Sequence, residues 1–323
     1  MKHADVVIIG GSLAGAACAR ELTRRGVDAV AVERDSFPRE KVCGGFLSPA
    51  AVDLLDELGV LADVRAVGAV SVTQSRVRMR GREMSASLPR PGLGISRKAL
   101  DAVMADHPSV QHGVVHSVQR HEKEFCVDTD SGKITARVVI DAAGKLSRFT
   151  RRRTVPQFGV QFYEEQSRGD CLDFWFFDGG YGGAVSVEGG RSNACFLINK
   201  DMVRKLGESR TEGYRVTGPV AYDRLPSEYI AIGDAAGMVD PFCGEGMRHA
   251  LDTGIRAAAI VADGLAQSRD YDQIRHRYES NASQRWSRKR RLGRLIRAML
   301  KHPHVLATGF RLHPEYWFRK LWD

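Results

Sequence analysis

Residues 4–9 (ADVVII) form an apolar run that meets GGSLAG at 10–15. A stretch with helical spacing follows, and then a second apolar run, AVAVE at 29–33, that ends in Glu33. Continuous short apolar runs bounded by glycine predict strands buried on both faces, so 4–33 predicts strand, turn, helix and strand. SPAAVDLLDEL at 48–58 predicts a helix with Ser48 as its cap and Pro49 in its first turn, and SRKALDAVMA at 96–105 a second helix capped by Ser96. Residues 68–90 alternate weakly, as hairpin strands do. Strands are predicted over 110–141, closed by VVIDAAG. Residues 154–227 differ: rich in aromatics and glycine (FWFFDGGYGGAVSVEGG), they predict an antiparallel sheet. Residues 229–266 return to strand and then a long helix from about Gly246, and 272–301 again have a helical pattern.

Charge changes this picture at one end only. Residues 285–323 hold 11 Lys/Arg against 2 Asp/Glu, so the whole net charge of +9 lies there and the rest of the chain is balanced. That points to one local anionic partner rather than a generally basic protein. The apolar run Val6–Ala19 is shorter than the ~20 residues of a membrane span, and Asp5 and the Gly-Gly pair interrupt any signal-peptide core. The six cysteines form no CxxC pair and no zinc spacing, so no metal is expected and a reducing cytoplasmic setting fits.

The glycine turn carries the first candidate chemistry. A glycine-rich turn between a buried strand and a helix lets backbone N–H groups approach a pyrophosphate at the positive end of the helix dipole. Gly10, Gly11, Ser12, Leu13, Ala14 and Gly15 make that turn, with Ser12 at the middle glycine position of G-x-G-x-x-G. The Ser12 hydroxyl is suited to donate to a phosphate oxygen. Glu33, at the end of the second strand, is placed to accept the ribose hydroxyls, and Arg34 follows it. The bland alternative is a glycine turn that only packs.

A second element narrows the dinucleotide. In YIAIGDAAGMVDPFCGEGMRHAL a strand ends at Gly233-Asp234 and a glycine-bearing loop opens a helix. Asp234 is suited to ribityl hydroxyls, and the helix start at Gly244, Glu245, Gly246 and Met247 to the pyrimidine edge of a flavin, where its dipole favours negative charge.

Five stretches in order, GGSLAG, ERDSFPREKVCGGFLSP, ISRKALD, VVIDAAGKLSR and AIGDAAGMVDPFCGEGMRHAL, resemble the geranylgeranyl reductase family, flavoproteins of the p-hydroxybenzoate hydroxylase fold related to flavin monooxygenases and halogenases. The resemblance covers about 4–150 and 227–266. It implies an α/β fold: a Rossmann-like FAD-binding lobe over 1–150 plus 227–270, an inserted antiparallel β-sheet substrate lobe over 151–226 to which 68–90 contributes, and a basic helical C-terminus over 271–323. It implies tightly bound FAD, with Arg97 reaching its phosphate or ribityl region, the strand near Val115 lining the adenine, and Cys43, Gly44 and Gly45 lying by the isoalloxazine. Asp141 in DAAG is implied to support the glycine loop.

The family links the cysteine matching Cys43 to catalysis, and a thiol there is suited to donate a proton to a substrate carbon. The alternative is a small buried residue where bulk does not fit. A redox pair of Cys43 with Cys243 is a further, sharper idea. Only one dinucleotide fingerprint is present, so NAD(P)H is expected as a transient reductant, or electrons come from a partner. Where the family has Y-x-W-x-F-P, this chain reads YGGAVSVEGG, so the surface against the substrate departs from the family.

In RWSRKRRLGRLIRAMLK (285–301), Leu292, Leu295, Ile296, Met299 and Leu300 form one helical stripe and Arg290, Arg294, Arg297 and Lys301 another. Three readings stand: a helix packed on the nucleotide lobe, contact with an anionic membrane surface, or docking of an acidic carrier or electron donor. No nucleic-acid module is present. The expectation is a cytoplasmic FAD-dependent oxidoreductase, peripheral to the membrane on the second of these readings. It transfers hydride between flavin and a carbon of an apolar small molecule. An oxygen-using monooxygenase or halogenase is the alternative, and a non-catalytic flavin-binding protein a second one.

Overall fold

A computed structural model describes residues 2–79, 81–150, 152–208, 213–224 and 227–300. The chain opens with β1 (Lys2–Ile9), α1 (Leu13–Arg24) and β2 (Ala29–Glu33). It crosses to the second lobe with β3 (Phe46–Leu47), passes through α2 (Pro49–Glu57) and α3 (Leu61–Ala66), and builds the hairpin β4 (Val70–Met79) and β5 (Arg82–Gly94). It then returns through α4 (Arg97–Ala105), β6 (Val110–His112), β7 (Val115–His121), β8 (Glu124–Thr129) and β9 (Gly132–Asp141). A second passage contributes β10 (Arg152–Val155), β11 (Gln157–Glu164), β12 (Cys171–Phe177), β13 (Gly180–Val187), β14 (Arg191–Asn199), α5 (Lys200–Glu208), β15 (Tyr214–Thr217) and β16 (Val220–Arg224). β17 (Ile230–Ala231), α6 (Gly246–Ala266) and α7 (Tyr271–Leu300) follow.

The first sheet runs β6-β2-β1-β9-β8-β7, with β17 also pairing β9. β1 lies parallel between β2 and β9, and its last four residues, Val6–Ile9, are nearly all inaccessible, as the continuous apolar run requires. Helices α1 and α6 pack closely because Gly254 lacks a side chain: a Cβ there would stand 2.5 Å from the Ala14 carbonyl oxygen.

The second sheet runs β15-β11-β14-β13-β12-β4-β5-β3. The lobe is entered twice, since β3, β4 and β5 come from before residue 95. One feature corrects the sequence expectation: the sheet is not wholly antiparallel, because β12 joins β4 in parallel and so seams the two passages together. Local alternation carries no signal about which distant strand will be a neighbour.

Helix α7 ties the lobes. Tyr271, Ile274 and Tyr278 sit in the core of the first lobe, and Trp286 sits in the core of the second with Phe242, Tyr181 and Phe176. The Trp286 indole N–H donates to Asp252 of α6 at 2.9 Å. So the N-terminal half of α7 packs on the nucleotide lobe, ahead of the basic stretch at 285–301. The side chains of Leu292, Ile296, Met299 and Leu300, the side chain of Cys243 and residues 301–323 lie outside the described residues, and with them the Cys43–Cys243 idea and most of the cationic stripe. Among the described residues no helix is long and apolar enough to cross a membrane.

Candidate functional site

The turn after β1 is built from positions where only hydrogen fits. Gly10 has φ +103°, and a Cβ on it would lie 2.7 Å from the Ala142 carbonyl oxygen. A Cβ on Gly11 would meet Val110 Cγ1 at 2.7 Å, and one on Gly15 would stand 1.8 Å from the Gly10 carbonyl oxygen. Helix α1 can therefore start directly beneath the turn. Its N-cap, Ser12, makes no side-chain capping bond, and its first turn holds no acid, so the leading N–H groups remain available to an anion. Leu13 and Ala14 are buried packing positions behind the turn.

The Ser12 hydroxyl is used differently from the sequence expectation. It donates to Asp101 Oδ2 at 2.9 Å and accepts from Arg97 at 2.8 Å, while Arg97 also forks onto Asp101 at 2.7 and 2.8 Å. Arg97 is thus no solvated helix residue: its side chain is 9% exposed and that of Asp101 is 0%. Burial alone would raise the Asp101 carboxyl, but Arg97, Lys41 and the Ser12 bond hold it below the ordinary carboxylate range. Burial likewise pulls against the Arg97 guanidinium, but Asp101, Cys43 and Asp234 together raise it. The half-buried Lys41 ammonium is lowered by burial and by Arg97, with Asp101 and Asp234 opposing. Cations on α4 and on the 39–41 loop therefore gather beside the uncapped helix start.

Glu33 closes the other side. Its Oε2 accepts the Gly11 N–H at 2.9 Å and its Oε1 the Asp35 N–H at 3.0 Å, which leaves lone pairs on both oxygens. Beside it lies a cavity of about 370 Å³ lined by Phe37, Pro38, Ala102, Val110 and Gln111 among others. This volume suits a small-molecule moiety, for which sites run about 300–1,000 Å³. The strand at this cavity is β6. Val115, on β7, is packed in the core of the first lobe and is not among the residues lining this cavity. Arg34 also falls outside: it is exposed and pairs with Asp35 at 3.7 Å.

The remaining predicted residues converge from three elements. Arg97 lies within electrostatic reach of Asp101, Cys43 and Asp234, and Cys43 packs against the buried cluster that includes Leu13, Leu47, Met247 and Leu251. Gly244 adopts the left-handed conformation (φ +62°) that turns the chain into α6. Glu245 stands at the α6 N-cap, fully buried and paired with Arg248 at 3.0 Å, its carboxyl raised by burial. Gly44 and Gly246 are exposed, and the place of a Cβ is open at each, so both loops present bare backbone. Gly45, by contrast, is buried at φ +75°. Asp141 is saturated by Ala143, Ser147 and Thr150, which makes it a structural brace for the neighbouring loop.

Three contributors were missed as site residues. Asp101 had a usable signal, since it stands four residues after Arg97 on one helix face. Gln161 and Asn193, which hydrogen-bond the Cys43 peptide, had none: they come from strands more than a hundred residues away.

This donor set fits FAD. An uncapped helix start, a cation cluster, a free-edged carboxylate beside a cavity and a second helix start are what its diphosphate, ribose and pyrimidine edge require. Comparison with known proteins agrees. Residues 3–154 match the model of the FAD binding domain. The chain is 27% identical to a menaquinone reductase of Mycobacterium tuberculosis, over 94% of this chain and 86% of that one. It is 24% identical to digeranylgeranylglycerophospholipid reductase 3 of Methanosphaera stadtmanae, over 84% and 80%. A flavin-dependent brominase shares the fold, with a TM-score of 0.81 at 19% identity over 100% of this chain and 95% of that one. The chain thus carries an FAD binding domain and is an FAD-dependent oxidoreductase, similar in sequence to menaquinone and geranylgeranyl-lipid reductases.

Proposed function

We propose that the protein reduces a carbon–carbon double bond, or runs the reverse dehydrogenation, on an apolar isoprenoid- or quinone-type molecule. The carrying observation is the position of Cys43: a half-buried thiol on the loop between the lobes, within electrostatic reach of Arg97 at the cofactor site. Sequence similarity to a menaquinone reductase along nearly the whole chain supports the substrate class.

When bound, FAD supplies a two-electron carrier that exchanges hydride with carbon. The chain's own residues hold and orient it. Glu33 would hold the adenosine ribose, and the Gly10–Gly15 turn with Arg97 and Lys41 the diphosphate. Asp234 would hold the ribityl chain, and the start of α6 the pyrimidine end. Cys43 holds a proton at Sγ for the substrate carbon. Reducing equivalents come from NAD(P)H binding transiently or from a partner protein. On the described part of α7, Arg291 and Arg294 are exposed and Leu295 is 53% exposed, which favours contact with an anionic membrane surface that holds such a substrate.

The test is anaerobic. Bound flavin is reduced with NADH, NADPH or dithionite, a short-chain menaquinone or polyprenyl acceptor is added, and flavin absorbance and product mass are followed. Reoxidation with a product heavier by two hydrogens is expected, and Cys43→Ala should slow it while FAD stays bound. Reoxidation only by oxygen, with oxygen or halide entering the substrate, would replace this function with the monooxygenase or halogenase alternative.

A further inference from the structure

The loop carrying Cys43 runs from β2 of the first lobe to β3 of the second, and its grip comes from the second. Asn193 Nδ2 donates to the Cys43 carbonyl at 2.8 Å, and the Cys43 N–H points to Gln161 Oε1 at 3.4 Å. Gln161 Nε2 donates to Asn193 Oδ1 at 2.6 Å. Both carboxamides are 1% exposed. We propose that Gln161 and Asn193 are positioning residues for Cys43: the two linked amides hold its peptide at both N–H and C=O and so set where its thiol stands.

The register places them for this. Gln161 pairs Cys195 and Tyr163 pairs Asn193 across β11 and β14, so the two amides stand diagonally on one face of the sheet. The neighbouring residues of that face hold the same loop. Tyr163 donates to Glu40 at 3.0 Å, and the missing side chain of Gly159 admits Val42, which a Cβ would approach to 3.3 Å. Gly45 has φ +75°, and a Cβ there would come within 2.7 Å of Asn193 Nδ2, so glycine at 45 is what lets the clamp close.

The amide orientations follow from the contacts. Turning Asn193 over would set oxygen against the Cys43 oxygen and nitrogen against Gln161 Nε2. Turning both would set Gln161 nitrogen against the Cys43 N–H. Only the arrangement found pairs a donor with an acceptor at all three contacts. A buried amide is unfavourable unless satisfied, and packing between sheet and loop is served as well by apolar side chains. What two amides add is a fixed peptide plane. The clamp stands on geometry alone; its weight in turnover rests on the proton-donor role of Cys43.

The test reads the thiol directly. In the FAD-loaded protein, iodoacetamide alkylation of Cys43 is followed by peptide mass mapping across pH. Asn193→Asp keeps the shape but removes the donor, and Gln161→Met removes the acceptor and the link. Each should change the Cys43 rate by about fivefold or more and displace its pH profile, the scale of one lost hydrogen bond. Alkylation of Cys126 in the first lobe should stay as in wild type. Ser192→Ala, a buried change on the opposite face of β14, should leave the Cys43 profile alone. A Cys43 profile in either folded, FAD-loaded variant that superimposes on wild type overturns the clamp, as does an equal displacement in Ser192→Ala. If Asn193→Asp does not load FAD, Gln161→Met decides by the same criterion. A displaced profile together with full turnover by Cys43→Ala keeps the clamp and removes the proton-donor role.

Discussion

The carboxylate of Glu33 accepts the backbone N–H of Gly11 at 2.9 Å, so the acid that ends the second strand also holds the glycine turn in shape. The two duties are separable. Glu33→Ala leaves the Gly11 and Asp35 N–H groups without their acceptor, which costs about 1–3 kcal/mol of stability, and it removes the carboxylate proposed to hold the ribose. Fluorescence titration of the apoprotein with FAD should show an affinity at least about tenfold lower, the loss expected for a ligand hydroxyl contact to a charged group. Glu33→Gln should restore most of the stability and little of the affinity. An unchanged FAD affinity in Glu33→Ala would remove Glu33 from the site.

Glycines in the two loops should answer differently to alanine. At Gly15 a Cβ stands 1.8 Å from a backbone oxygen, so α1 must move off the turn, and at Gly44 a Cβ meets nothing within 4 Å. Gly15→Ala is expected to lose FAD and more than about 3 kcal/mol in urea unfolding, as large steric conflicts in a packed core do. Gly44→Ala should keep wild-type stability within about 0.5 kcal/mol. Any fall in turnover there reports the open space beside Cys43 rather than folding.

The Arg97–Asp101 pair is nearly closed to water, so breaking it from one side strands a charge. Arg97→Met should destabilise the apoprotein by about 3–5 kcal/mol, and Arg97→Met with Asp101→Leu should recover much of that. FAD binding separates structure from function, since the double variant should fold and still bind FAD weakly. Equal stability of the single and double variants would show that the pair is not coupled.

His249 sets an acid limit. It is fully buried at the α6–α7 interface, its ring edge-on to Trp286 with centroids 4.7 Å apart, and neither ring nitrogen has a hydrogen-bond partner among the described residues. Burial, reinforced by Arg290, lowers it from 6.5 to about 4 against the pull of Asp234 and Asp252. The folded state therefore binds this proton less readily than the unfolded chain. The neutral ring is fully compatible with the fold above pH 6.5, and stability falls as pH drops from 6.5 towards about 4. By linkage the loss reaches about 3 kcal/mol. Glu245, whose carboxyl is raised by burial, acts in the opposite sense, so the informative quantity is the difference from His249→Phe. That variant should match wild type at neutral pH and lose less stability on acidification in urea melts. Parallel curves would show that His249 is not the group responsible.

The nucleotide lobe was legible because its signals are short-range. The apolar run of β1, the glycines at 10, 11 and 15, and Glu33 at the end of β2 lie within one strand–helix–strand unit, where spacing fixes contact. Asp234 and the start of α6 were legible for the same reason. The strand at the cavity was not legible, because β6 is only three residues long and carries too little alternation to compete with the stronger strand that follows. Ser12 was assigned its own phosphate contact because nothing in GGSLAG reveals that a helix eighty residues on will bring Arg97 and Asp101 to its hydroxyl.

By itself the sequence determined the dinucleotide-binding unit, which follows from residue types at fixed local spacing, while Cys43 stood out through the resemblance of its loop to a known family. Only the tertiary structure decided that β4 and β12 meet in parallel, that α7 roots in both lobes, and that Gln161 and Asn193 hold the Cys43 loop. Those outcomes depend on which distant faces are buried together, and burial against a partner is a property of the folded whole that no local pattern encodes.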